Sequence, residues 1–125
     1  MTSDVLDKRE TLHLIGSDKV EGTKVYRSNG EKVGTIERVM LDKLTGRVAY
    51  AVMSFGGFLG IGHDHYPIPW SLLRYNTDLD GYEVNIEPAQ LSGAPKYGRD
   101  ETWDWQDWKR AEQVHGYYGV PPYWS

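Results

Sequence analysis

The stretch Lys32 to Phe55, KVGTIERVMLDKLTGRVAYAVMSF, decides the fold. Val33, Ile36 and Met40 stand at i, i+3 and i+7 and would share one face of a helix. Three features argue for a strand instead. Gly34, Thr35 and Val39 are poor helix formers, turn clusters bound the segment at Ser28–Gly30 and Leu44–Gly46, and an extra residue near Glu37 accounts for the slipped parity of Val33, Ile36 and Val39. The reading is a bulged, strongly curved strand, which suits a small barrel. The second half, RVAYAVMSF, alternates Val48, Tyr50 and Val52 with Ala49, Ala51, Met53 and Phe55. Both sets are largely apolar, so this is the central strand, covered on both faces.

Outward from this pair the chain keeps the punctuation of short strands. Asp80-Gly81 marks a hairpin between RYNT and YEVNI, and in the latter Tyr82, Val84 and Ile86 face inward while Glu83 and Asn85 face out. HYPIPW puts Tyr66, Ile68 and Trp70 on one face. Pro67 and Pro69 each remove a ladder donor and confine the strand to an edge or barrel rim. After Glu87 the composition changes to an irregular linker, PAQLSGAPKYGRDE. TWDWQDWKRAEQVH then places Trp105, Trp108, Ala111, Glu112 and His115 at helical spacing, with Thr102 or Asp104 as N-cap and Gly116 as stop. Half of the chain's aromatic residues fall between Tyr97 and Ser125, too many for a solvated tail. The expected organisation is a polar segment over 1–10, a barrel over 11–88, and a linker, short helix and aromatic tail over 89–125.

Composition narrows the function. With 125 residues the chain is the size of one domain, and 14 basic against 18 acidic residues give a net charge of -4. No chain-wide positive field exists to hold phosphate backbones, so nucleic acid is not an expected partner. The absence of cysteine excludes disulfides and thiolate chemistry and agrees with a reducing compartment. The N-terminus is polar and no run of 18 apolar residues occurs, so a cytoplasmic protein without a membrane span is expected, with peripheral membrane contact left open.

The glycine-rich stretch GGFLGIGHDHYPIPW, Gly56 to Trp70, invites three chemical readings. Gly57 and Gly62 sit at the glycine positions of a phosphate loop, but His63 and Asp64 stand where lysine and a hydroxyl are needed. No dinucleotide fingerprint opens a helix here. His63 and His65 project to one side of a strand beside Asp64, yet two imidazoles fall short of the three or four ligands of a zinc site, so exposed histidines at a strand entrance are expected and no metal or other cofactor. No G-x-S-x-G elbow or paired-carboxylate arrangement points to catalysis, and no enzyme is expected. The glycines make a connection between strands, with Phe58 and Leu59 tucked over a barrel end or offered to a neighbour.

Taken together these residues resemble the PRC-barrel domain, the small β-barrel named after the photosynthetic reaction centre. The resemblance lies in Gly22 with Val25 and Asn29-Gly30, Val33-Gly34 with Ile36 and Val39, Thr45-Gly46-Arg47 with Tyr50-Ala51-Val52, and Gly56 to Gly60, closing on Pro69-Trp70 and Leu73. It covers Leu12 to Glu87. It implies a mainly-β fold, a small antiparallel PRC-type barrel, here with a C-terminal helix and aromatic tail. In the family the barrel belongs to a reaction-centre subunit that influences electron and proton transfer to quinone, or to a ribosome maturation factor that binds a ribosomal protein. The expected function is therefore a non-enzymatic interaction or assembly module, linked through the family name to photosynthetic electron transport. Its partner is another protein or a second copy, a dimer first, and its contact residues are Phe58, Leu59, Trp105, Trp108, Tyr123 and Trp124. Whether those tail rings cover the chain's own barrel or a neighbour stays open, as does the alternative of a ligand- or metal-binding barrel using His63, His65 and the barrel mouth.

Overall fold

The computed structural model describes residues 14–55, 64–98 and 101–124. A one-turn helix α1 (Ser17–Val20) leads into strands β1 (Lys24–Tyr26), β2 (Lys32–Leu41), β3 (Val48–Ser54) and β4 (Asp64–Pro69). A 3-10 turn at Trp70–Leu72 carries the chain into β5 (Arg74–Asn76) and β6 (Gly81–Glu83). A short helix α2 (Pro88–Leu91), a two-residue strand β7 (Tyr97–Gly98) and helix α3 (Trp108–Tyr118) complete the chain. The strands form one sheet in the order β5-β6-β1-β2-β3-β4-β7. Val25, Ile36, Met53, Tyr66, Ile68 and Tyr82, from five of these strands, meet in one buried core, so the sheet is rolled around them. Among the described residues its two ends do not pair, and the roll is not closed. The ladders are antiparallel except for β1 with β6, which run parallel through Val25 opposite Tyr82 and Tyr26 opposite Glu83.

The curvature has a local cause. In the β2–β3 ladder Ile36 faces Met53 and Arg38 faces Val52, leaving Glu37 as the extra residue of a bulge. The Glu37 carboxylate accepts a 2.6 Å hydrogen bond from the Ser54 hydroxyl and ties the bulge to the partner strand. A further slip lies in the β1–β2 ladder, where Val25 faces Gly34 but Tyr26 faces Lys32, so Val33 is unpaired there. These two slips bring Val33, Ile36 and Val39 to the same core in spite of their spacing. Gly34 is needed at this bend because a Cβ there would collide with the Ser54 carbonyl oxygen.

A third slip, between Met40 opposite Tyr50 and Leu41 opposite Val48, leaves Ala49 unpaired in β3. Ala49 and Tyr50 consequently both join a second cluster with Trp103 and Val114. β3 is buried along its middle, as expected of the central strand. The prolines of β4 lie where β7 no longer pairs with it, since β7 meets only Asp64 and His65. At the β5–β6 hairpin the positive φ of 53° belongs to Asp80, while Gly81 is packed against the Lys24 carbonyl and the Tyr26 ring.

The C-terminal helix is present but shifted from its expected frame. Its N-cap is Asp107, whose carboxylate accepts from the backbone N–H groups of Lys109 and Arg110 at 2.9 and 3.4 Å. Gly116 lies inside the helix, and the stop is Gly119, in the left-handed region at φ 67°. The buried face is therefore Val114 and His115, with Tyr118 partly buried beside them, and Trp105 precedes the helix. No helix among the described residues is long and apolar enough to cross a membrane.

Candidate interaction surface

The outer face of β3 and β4 is where the C-terminal segment docks. Tyr50 stands at its centre, with Trp105 at 5.4 Å, His115 at 5.3 Å and Tyr123 at 5.6 Å between ring centroids. The contacts continue from Trp105 to Trp103 at 6.1 Å, from Trp103 to Tyr97 at 5.7 Å, and from Tyr97 to the His65 ring stacked on it at 5.2 Å. Arg110 lies over the Trp103 ring at 4.7 Å, closing that side with a cation–π contact. Burial of these groups shows in their acidity. Desolvation, with a smaller contribution from Tyr123, holds the Tyr50 phenol well above its ordinary value, and desolvation does the same for Tyr118 and, more mildly, for Tyr97 here and Tyr66 in the inner core.

A second layer lies outside the first. Trp108 at the first turn of α3 is 60% exposed, and Trp124 is 43% exposed. Their rings meet edge to face at 4.7 Å, a geometry that π-quadrupoles favour. Tyr123 joins the layers, touching Tyr50 beneath and Trp124 at 5.0 Å beside it. The helix supplies a fixed support because its opposite face is anchored by Val114 and by the Tyr117 hydroxyl donating to the Gln90 carbonyl. This arrangement presents rigid apolar rings to solvent and suits the exclusion of water against another surface.

The six expected contact residues fall into three groups. Trp108, Tyr123 and Trp124 are brought together at the surface, whereas Trp105 is partly buried and faces the chain's own sheet. Phe58 and Leu59 lie outside the described residues, as does His63. Of the expected histidine pair only His65 is seen, half-buried and stacked on Tyr97, with Nδ1 unpartnered among the described residues. Among the described residues no three His, Cys, Asp or Glu side chains gather as a metal would require. The sequence reading missed Tyr50, Trp103 and His115 as members of the layer. The helical spacing did carry His115 onto the docking face.

A rolled, mainly-β sheet with three bulged registers and a helix packed on its outer face defines a small barrel-type domain. Residues 13–91, more than half of the chain, match the family model of the PRC-barrel domain. The chain belongs to the PRC-barrel family. No curated protein matches it.

Proposed function

We propose that this chain is a non-enzymatic interaction or assembly module whose contact surface is the outer aromatic layer of its C-terminal segment. The observation that carries the reading is the Trp108–Trp124 pair, two exposed indoles packed on each other beside Tyr123. Tryptophan and tyrosine dominate binding energy at protein interfaces, and a layer already held by a packed helix loses little conformational entropy on association. The partner is another protein or a second copy. The reaction-centre member that gives the family its name supports a link to photosynthetic electron transport. A chain without cysteine is suited to the reducing cytoplasm.

The test uses the full chain beside Trp108→Ala/Trp124→Ala, both checked by far-UV circular dichroism. Light scattering after size exclusion reads self-association, and an affinity pull-down reads a different partner. A dimer or a retained protein that the folded double variant loses supports the surface. Retention by both baits, or by neither with both monomeric, removes it.

A further inference from the structure

A groove of about 310 Å³ opens beside the aromatic layer, walled by Ala49, Pro69, Trp70 and Tyr123, with Ser71 and His115 as its polar members. That size stands at the lower end of sites for small organic molecules. His115 is the unusual member, because it is only 2% exposed. Its Nδ1 lies 2.7 Å from the carbonyl oxygen of Ala111, one turn earlier in α3. A carbonyl can only accept, so Nδ1 carries the proton and donates it. In the tautomer that this bond selects, Nε2 is a bare acceptor. Nε2 is buried and has no hydrogen-bond partner among the described residues. Buried polar atoms are ordinarily paired, and leaving one unpaired costs free energy that a suitable donor recovers.

We propose that this groove binds a small neutral molecule with an apolar ring and one hydroxyl, the phenol class, whose O–H donates to His115 Nε2. The ring of such a ligand takes the apolar walls at Ala49, Pro69 and Trp70. A hydroxyl is chosen over a cation because no carboxylate lines the groove among the described residues. Nε2 is shielded from water, so the ligand reaches it when a covering side chain turns aside. Three rings pack on His115, those of Tyr50 at 5.3 Å, Trp124 at 5.5 Å and Tyr123 at 6.2 Å, and of these Tyr123, 38% exposed, lines the groove and is the one whose turning would open it. The groove borders the Trp108–Trp124 pair through Tyr123 and through the Trp124 ring, 5.5 Å from that of His115, but this inference is read by small-molecule binding and not by association with another chain.

The experiment titrates the full chain, with ¹⁵N-labelled histidine, against phenol and against toluene, which has a similar ring and no donor. The expected result is a saturable shift of the His115 Nε2 resonance with phenol only, and phenol affinity about tenfold or more above that of toluene. His115→Phe should erase that preference while toluene still binds. Should this variant fail to fold, the Nε2 resonance of the unaltered chain still decides the matter. Equal affinities with no movement of Nε2 would reduce the groove to a nonspecific apolar surface, and no saturable binding of either compound would overturn the site.

Discussion

The two faces of β3 are both buried, but by different means. On the inner face Ala51, Met53 and Phe55 enter a core of aliphatic and aromatic side chains contributed mainly by the strands, with Val20 and Leu91 added from the two short helices. On the outer face Tyr50 is covered by a segment some fifty residues later in the chain, and the cover is made mostly of rings. The residues of the inner core are buried. The outer cover has finite thickness: its lower layer, Trp103 and Trp105, is used up on the sheet, while its upper layer, Trp108 and Trp124, faces solvent. A strand-built core makes a fold, whereas a docked tail makes a fold and leaves a surface.

The sharpest probe of this contrast is truncation on either side of the sheet. Phe55→Ala, at a site 1% exposed and packed edge to face on Tyr66 at 5.0 Å, should lower stability by about 4 kcal/mol. Trp103→Ala in the outer cover should lower it by about 3 kcal/mol, since that ring is nearly as buried but has a neighbouring layer able to relax. Urea unfolding measures both, and a negligible loss at Trp103 would mean that the tail rests on the sheet without supporting it.

At the bend of β2, Gly34→Ala forces a Cβ against the Ser54 carbonyl oxygen, and about 2 kcal/mol of destabilisation is expected from the displaced β2–β3 ladder. The same denaturation experiment reads it, and a neutral outcome would show that the bulge at Glu37 can move. This bend was legible in the sequence. Three apolar residues out of step with a strand's alternation, in a segment too poor in helix formers to be a helix, require an extra residue. The slip at Ala49 left no such mark, because β3 is apolar on both faces and parity carries no signal there.

Alkaline titration probes the buried phenols. In the folded chain Tyr50 and Tyr118 stay protonated above the ordinary tyrosine value of 10.0, so the native state holds protons that the unfolded chain releases. The contribution of these two phenols to stability is therefore fully present below about pH 10 and is lost as pH rises beyond it. Tyr50→Phe should flatten part of that fall, as read by urea midpoints at about pH 8, 10 and 11. An unchanged slope would place the phenol of Tyr50 in contact with water.

A smaller effect is expected at the helix start. Asp107→Ala removes the acceptor for the Lys109 and Arg110 N–H groups and should lower stability by about 1 kcal/mol, while the same change at Asp104 should have less effect. Thermal unfolding compares the two. The sequence offered Thr102 and Asp104 as caps because threonine and aspartate both suit that role, as they do at Asp107. Local pattern could not show that Trp105 is drawn onto Tyr50, which holds the chain out of helix until Asp107. Gly116 misled in the same way: it lies in open space inside the helix, and the positive φ that ends it falls at Gly119. His115 was legible as a helix-face residue and its Nδ1 is tied within the helix itself, but the burial of its unpartnered Nε2 comes from tertiary packing.

The central claim is that the outer rings are not needed by the fold that carries them. Equilibrium urea unfolding of Trp108→Ala/Trp124→Ala, run beside the unaltered chain and Trp103→Ala, tests it most directly. The account predicts a loss below about 1 kcal/mol for the double variant against about 3 kcal/mol for Trp103→Ala. A double variant as unstable as Trp103→Ala would make Trp108 and Trp124 part of the fold and remove the reason for reading them as a surface.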